Sequence, residues 1–443
     1  MRLLTDTRPL RQSPAFRRLW AGSTLSAVGG SMTTFAVILQ VYQITGSPIA
    51  VGAIGLARMA PTLVIGLLGG SFADAVDRRR LVIACTIGLA AVTAALAASA
   101  LADLRSVWLL YGLVAVKSAL GAVAGPARRT FIPSLLPADL LPAGLALSRI
   151  SFQVTLAAGP AAAGALTAAT GGVAACYLID AASFAAALYG LAGLPAMPAA
   201  DGAARPGPRA VAEGIAFIRR SQVLAGAFLT DLNATVFGLP VALFPAINAE
   251  RFGGSAATLG LLTTAIGVGG LISAVYSGPV GHIRRHGLAM LVSASVWGAA
   301  FAGFALAANL PLALGLLAVA GAADTFTVVF RSAIVQTVAP ERLRGRITAV
   351  DFVVGAGGGE LGGLEAGAVG SLATPAISAL SGGLATIAGA AVIGLALPAF
   401  ARYRNGATPA GPAATGPESA GSGPAGGAAP VPGGPGAPAP NQA

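Results

Sequence analysis

Apolar residues in this chain come in long blocks rather than in alternation, and short polar stretches divide the blocks. A bilayer-spanning helix needs about 20 predominantly apolar residues. Twelve blocks reach that length, roughly at 18–43, 48–72, 81–102, 106–127, 140–166, 170–194, 222–247, 256–277, 287–308, 310–331, 347–370 and 375–401. Gly46-Ser47-Pro48 and Asn309-Leu310-Pro311 mark tight turns between neighbouring blocks. Trp20 and Trp108 fall at predicted block ends, the depth at which aromatic belts sit. The pattern predicts an all-α membrane protein with twelve transmembrane helices. Its first run, Leu19 to Tyr42, is too long for a signal-peptide core and lacks a following cleavage region, so it is expected to remain as the first helix.

The longest internal polar stretch, 195–221, opens with Pro195, Pro198, Pro206 and Pro208 and then reads as a short amphipathic helix, Ala210 to Arg220. It divides the chain into six-helix bundles at 1–194 and 222–404, with 195–221 as a cytoplasmic linker. Residues 405–443 form a Pro/Gly/Ala-rich tail whose one charge is Glu418. Such a composition cannot bury a core and is expected to be disordered. The halves repeat. Arg129-Thr130-Phe131-Ile132 with Pro137 resembles Arg331-Ser332-Ala333-Ile334 with Pro340, 202 residues on, and Gly70 and Asp74 match Gly278 and His282 at an offset of 208. Parallel repeats of this kind place a substrate site between the halves, near the midplane, and let them rock about it.

Charge sets orientation. Twenty-two of the 27 cationic residues lie in seven polar stretches, from Arg2–Arg18 to Arg402–Arg404, that alternate with pairs of apolar blocks. The connections on the opposite side carry only Arg105 and Arg251. This positive-inside skew puts both termini in the cytoplasm of a cell carrying the protein in its cytoplasmic membrane. With 55% hydrophobic and 10% charged residues, the chain lies far from the roughly 25% charge of soluble domains. The net charge of +11 is explained by topology and by anionic head groups, and no basic face with interleaved aromatics suggests nucleic acid. Cys85 and Cys176 lie inside apolar blocks near opposite faces, which argues against a disulfide or a metal site.

The loop after the second block reads Gly70-Ser71-Phe72-Ala73-Asp74-Ala75-Val76-Asp77-Arg78-Arg79-Arg80. It resembles the signature loop of the major facilitator superfamily, with Asp77 where a Gly usually stands. The resemblance implies the major facilitator fold, two pseudo-symmetric six-helix bundles, and a cytoplasmic latch built from Gly70, Asp74, Asp77 and Arg78 to Arg80. An ordinary positive-inside loop, with Asp74 capping a helix, is the other reading. Gly159-Pro160-Ala161-Ala162-Ala163-Gly164 looks like the antiporter motif of drug-exporting facilitators, with Ala163 in place of a Gly; a generic packing helix has the same small residues. Phe16-Arg17-Arg18-Leu19-Trp20, Asp231-Leu232-Asn233, Leu243-Phe244-Pro245, Leu343-Arg344-Gly345-Arg346 and Gly357 to Gly367 resemble the enterobactin-exporter-like branch, which includes macrolide efflux proteins. The match is spread over residues 10–402.

Nine ionisable residues fall inside the predicted spans: Arg58, Lys117, Arg149, Asp180, Asp231, Asp324, Asp351, Glu360 and Glu365. A charge at the bilayer centre costs at least about 2.5–3.5 kcal/mol on insertion scales, so each is expected to face a cavity, pair or be protonated. By the superfamily's helix order, Lys117, Asp231, Asp324, Glu360 and Glu365 lie on cavity helices, and Asp180 on an outer helix is a structural partner for a neighbour. Arg149 and Asp351 match at the 202 offset near the cytoplasmic ends, which suits gating or substrate contact. Arg58 faces the cavity or snorkels outward. Glu360 and Glu365, about 140° apart on a helix, do not share a face. Static pairs, Lys117 with Asp231 or Arg149 with an acid, are the competing account of the same residues.

No Walker loop follows Gly66 to Gly70, so ATP is not the energy source. His282 and His286 are read as solvated loop residues, and two ligands make no metal site. The expected protein is not an enzyme and uses no cofactor. It is a monomeric secondary transporter in the lipid bilayer, exporting a small amphipathic molecule (drug, macrolide or siderophore-like) in exchange for protons by alternating access. An uptake symporter or uniporter on the same fold, and a non-transporting sensor or lipid-handling protein, are the alternatives.

Overall fold

The computed structural model describes residues 6–68, 77–195, 197, 208–275 and 283–404. Gly70, Asp74, Gly278, His282 and the tail at 405–443 lie outside the described residues. Twelve long helices follow the apolar blocks: α1 Pro14–Thr45, α2 Pro48–Leu68, α3 Arg78–Leu101, α4 Val107–Arg129, α5 Leu141–Thr170 and α6 Ala174–Ala192 in the first half. The second half holds α7 Gln222–Phe237, α8 Ala256–Val275, α9 His286–Leu306, α10 Leu310–Val338, α11 Glu341–Leu372 and α12 Pro375–Ala396. Side-chain caps start many of them. Ser13, Ser106, Ser221, Asn309 and Thr374 each accept a backbone N–H from the first turn, and α1, α10 and α12 have Pro in that turn, where no N–H is missed. Gly46 and Gly171 end α1 and α5 in the left-handed region, at φ 63° and 72°, which lets the chain reverse within two or three residues.

Three elements depart from the sequence expectation. α7 is not one helix over 222–247. It stops at Phe237, and after Gly238 and Leu239 a 3-10 turn at Pro240–Leu243 leads into a separate helix, Phe244–Arg251. Pro240 supplies no N–H and pushes Leu239 out of the helical region, so an unbroken apolar run hides a break. α10 continues past residue 331 to Val338, so Arg331, the last residue of the predicted block, lies about two turns inside the helix. α11 begins at Glu341 and runs 32 residues. Eleven of the described spans are apolar enough to cross a membrane by length and composition. α11 matches them in length but carries Glu341, Arg342, Arg344, Arg346, Asp351, Glu360 and Glu365.

Helices α1 to α6 pack as one bundle and α7 to α12 as another. Two seams join them, α5 against α8 and α2 against α11. Glycine makes both seams close. A Cβ on Gly260 would stand 2.7 Å from the Pro160 carbonyl oxygen, and one on Gly164 would stand 2.8 Å from the Gly260 Cα. Across the other seam, a Cβ on Gly52 or Gly367 would meet backbone at 2.5 Å, and the Ile49 N–H donates to Ser371 Oγ at 3.1 Å. These contacts lie toward the ends remote from the arginine clusters, and a Cβ on Gly66 would meet the Phe352 ring at 2.6 Å nearer the arginine-rich end of the α2–α11 seam. The linker helix, Pro208–Arg220, lies along α11, with Gly214 against the Arg346 backbone and Glu213 paired to Arg346 at 2.9 Å.

Candidate functional site

Between the halves lies a cavity of about 630 Å³. Its walls come from α1, α2 and α5 on one side and from α8, α10, α11 and the break after α7 on the other. The α7 break places Leu239, Val241, Ala242 and Phe244 on the wall, and Phe35, Ile38, Val51, Phe152, Leu156 and Ile266 make most of the remainder apolar. Among the described residues four charged side chains reach it: Arg58, Arg149, Asp324 and Glu360. Pro160 lines it too, while its neighbours serve the packing: Gly159 faces Ser31 of α1 and Gly164 faces α8.

Burying a charge in lipid requires a partner, and most charges here have one. Arg58 and Glu360 pair at 3.1 Å across the α2–α11 seam, so Arg58 turns inward rather than snorkelling. Lys117 donates to Asp180 at 2.7 Å, and Thr33 donates to the same carboxylate at 2.6 Å, which ties α4, α6 and α1. Asp180 is fully buried, on the inner face of its helix. Arg331 bonds Asp231 at 3.0 Å and Asp351 at 2.8 Å, joining α10, α7 and α11. Two cavity charges differ. Arg149 packs over the Phe152 ring at 5.7 Å, and among the described residues neither Arg149 nor Asp324 has a hydrogen-bonding or ionic side-chain partner.

The structure goes against two readings from the sequence, the first of them the competing static pair. Asp231 is not the partner of Lys117: Lys117 is engaged by Asp180, and Asp231 by an arginine that sequence reasoning counted as loop charge. The signal was present in the 202-residue repeat, which put Arg331 and Asp351 in matching register with Arg129 and Arg149, but a helix end cannot be read to a turn's accuracy. His286 is the second. It opens α9, is 5% exposed and stacks on Phe330 with centroids 5.5 Å apart, so it is no solvated loop residue. Glu365 lies half-buried on α11 outside the cavity wall, and Asp231, Asp351 and Lys117 are likewise off that wall.

Of the signature loop, Asp77 and Arg78 to Arg80 are described. Asp77 caps α3, accepting N–H bonds from Arg80 and Met197 at 2.9 Å each, and those bonds hold its carboxyl below the ordinary value. Arg79 donates to the Leu191 and Ala192 carbonyls at the end of α6. The Arg79 tie stays inside the first half and the Asp77 tie reaches the start of the linker; neither meets α7 to α12. Cys85 and Cys176 are free and buried, and the described residues contain no cluster of metal-ligating side chains.

Over residues 5–409 the sequence matches the family described as transmembrane secretion effector. The enterobactin exporter EntS of Shigella boydii serotype 18 is 28% identical over 400 residues, covering 89% of this chain and 94% of that protein. The corresponding exporter of Escherichia coli O157:H7 is 27% identical with the same coverage. Among solved structures, the nucleoside transporter NupG aligns with a TM-score of 0.67 at 14% identity, covering 88% of this chain and 99% of that one. The human organic anion transporter MFSD10 aligns with a TM-score of 0.60 at 17% identity, covering 85% and 99%. At such identities the likeness is one of fold: two six-helix bundles around a central cavity.

Proposed function

The chain belongs to the transmembrane secretion effector family of major facilitator transporters, and we propose that it exports a small amphipathic molecule in exchange for protons by alternating access. The bodies 1–194 and 222–404 rock about the cavity, with 195–221 as the tether between them. The arginine-rich side faces the cytoplasm. A cavity of about 630 Å³ is of the size that holds drug-like molecules, and its apolar walls suit an amphipathic one. The curated relatives are named as enterobactin exporters, and Arg149 with Phe152 suits an aromatic, anionic group of the siderophore kind.

The observation that carries the reading is the isolation of Asp324. Glu360 is held by Arg58 and Asp231 by Arg331, whereas Asp324 lines the cavity with no cation bonded to it. Charge at this depth costs at least about 2.5 kcal/mol, and beyond what the cavity solvates, protonation lets an unpartnered carboxylate avoid it. Substrate loads from the cytoplasm while Arg149 is free, and Asp324 takes a proton once the cavity turns outward. The neutral acid and released substrate then reset the carrier.

Inverted membrane vesicles test this. An imposed pH gradient, acid inside the vesicle, accelerates uptake by wild type. Asp324→Asn removes that acceleration, by 10-fold or more in initial rate, and keeps gradient-free exchange of substrate. Full acceleration in Asp324→Asn excludes it as the proton site, and accumulation in the opposite direction favours uptake over export.

A further inference from the structure

The α1–α6 half holds a second cavity, of about 160 Å³, at its arginine-rich end. Phe16, Trp20 and Ser23 of α1 line it, with Arg128 of α4, Phe131 just beyond α4 and Ser148 of α5. Among the described residues no carboxylate faces it. Arg128 gives one N–H to Thr86 at 3.0 Å and has no acidic partner among the described residues. The Trp20 indole N–H is buried without an acceptor. A guanidinium carries five donors in a fork that fits phosphate oxygens, so most of the Arg128 donors are unspent.

The internal repeat gives the missing acid its meaning. At the 202 offset, Arg128-Arg129 occupies the register of Phe330-Arg331, and Arg149 that of Asp351. Ser13 and Ser221 cap α1 and α7 at an offset of 208, which sets Ser23 in the register of Asp231. In the second half, Arg331 is neutralised by Asp231 and Asp351. The first half keeps Arg129 in the register of Arg331, outside the cavity and next to Arg128 within it, and has a hydroxyl and a further arginine where the acids stand. One half carries its own counter-charge; the other leaves it to come from outside the chain.

We propose that this cavity binds the phosphate of an anionic glycerophospholipid, with Arg128 as principal ligand and Trp20, Ser23 and Ser148 completing the donor set. The site lies at head-group depth, where Trp belts and basic inter-helix pockets meet lipid. Free phosphate shares the chemistry, and the inorganic-phosphate arm of the test separates the two sources.

The test uses the full chain in neutral detergent, melted with dioleoylphosphatidylglycerol, dioleoylphosphatidylcholine or inorganic phosphate, with retained lipid counted by native mass spectrometry. Phosphatidylglycerol raises the Tm by about 5 °C and leaves one tightly held adduct; the other two do neither. Arg128→Gln loses both responses, and Arg105→Gln, on the opposite side, keeps both. Ser23→Asp installs the acid that α7 carries in the matching register. It loses the lipid response while its lipid-free Tm stays level or rises, which preserves the test if Arg128→Gln fails to fold. Wild type indifferent to phosphatidylglycerol, an undiminished response in both pocket variants, or a response matched by inorganic phosphate overturns the proposal.

Discussion

Arg331 sits between two carboxylates with its side chain 13% exposed, and the three groups act as one electrostatic unit. Removing the cation strands two acids; removing one acid leaves a pair. Arg331→Gln is therefore expected to lower stability by about 3–5 kcal/mol, the range for breaking a buried pair. Asp231→Asn, which leaves Arg331 with Asp351, is expected to cost about 1–2 kcal/mol. Unfolding in detergent, with the double variant to close the cycle, measures both. Equal losses, or an Arg331→Gln protein as stable as wild type, would remove the triad as a stabilising unit. The acids of this unit were legible in the sequence, since a carboxylate inside an apolar block has no topological excuse. Arg331 was not, because it opens a run of arginines that the positive-inside rule already accounts for. The pairing itself was also out of reach: Lys117 and Asp231 look complementary in one dimension, and only the packing of α4 and α6 on a shared neighbour, α3, gives Lys117 to Asp180.

At the scale of elements, helix number and order follow from block length, while the interruption of α7 does not. Gly238-Leu239-Pro240 lies within continuous apolar sequence, so hydropathy carried a helix through a proline. The break widens the wall of the cavity. The seams tell a similar story: Gly159, Pro160 and Gly164 stood out as small residues in a helix, but their opposite number, Gly260, carried no signal until α8 lay against α5. At Gly260 a side chain would enter the space held by the Pro160 carbonyl. Gly260→Val is expected to prise the far side apart and shift the population toward the form open there. With Ile38→Cys on the cavity wall as reporter, and Cys85 and Cys176 buried as quiet background, an impermeant maleimide added to intact cells labels faster, by 3-fold or more. Unchanged labelling with unchanged transport would show that the α5–α8 contact does not hold the far side closed.

For the molecule as a whole, orientation decides which way the proposed cycle runs. Helix count makes the two ends of the bundle distinguishable only in parity, and the arginine skew then assigns one of them to the cytoplasm. The linker helix belongs to that end, anchored by Glu213 on Arg346, and the α3–α4 connection to the other. Ala212 and Asp103 are exposed at these two places, so single cysteines there report sidedness without entering a packed surface. In intact cells an impermeant maleimide is expected to label Asp103→Cys and to reach Ala212→Cys only after the membrane is broken; inside-out vesicles reverse the pattern. The consequence extends to Asp324. If the far side is external, the α5–α8 and α2–α11 glycine contacts on that side stand between an outside proton and Asp324. Labelling of Ala212→Cys in intact cells would invert that order, turning the same unpartnered carboxylate into a site filled from the cytoplasm, and export would no longer be the direction its protonation drives.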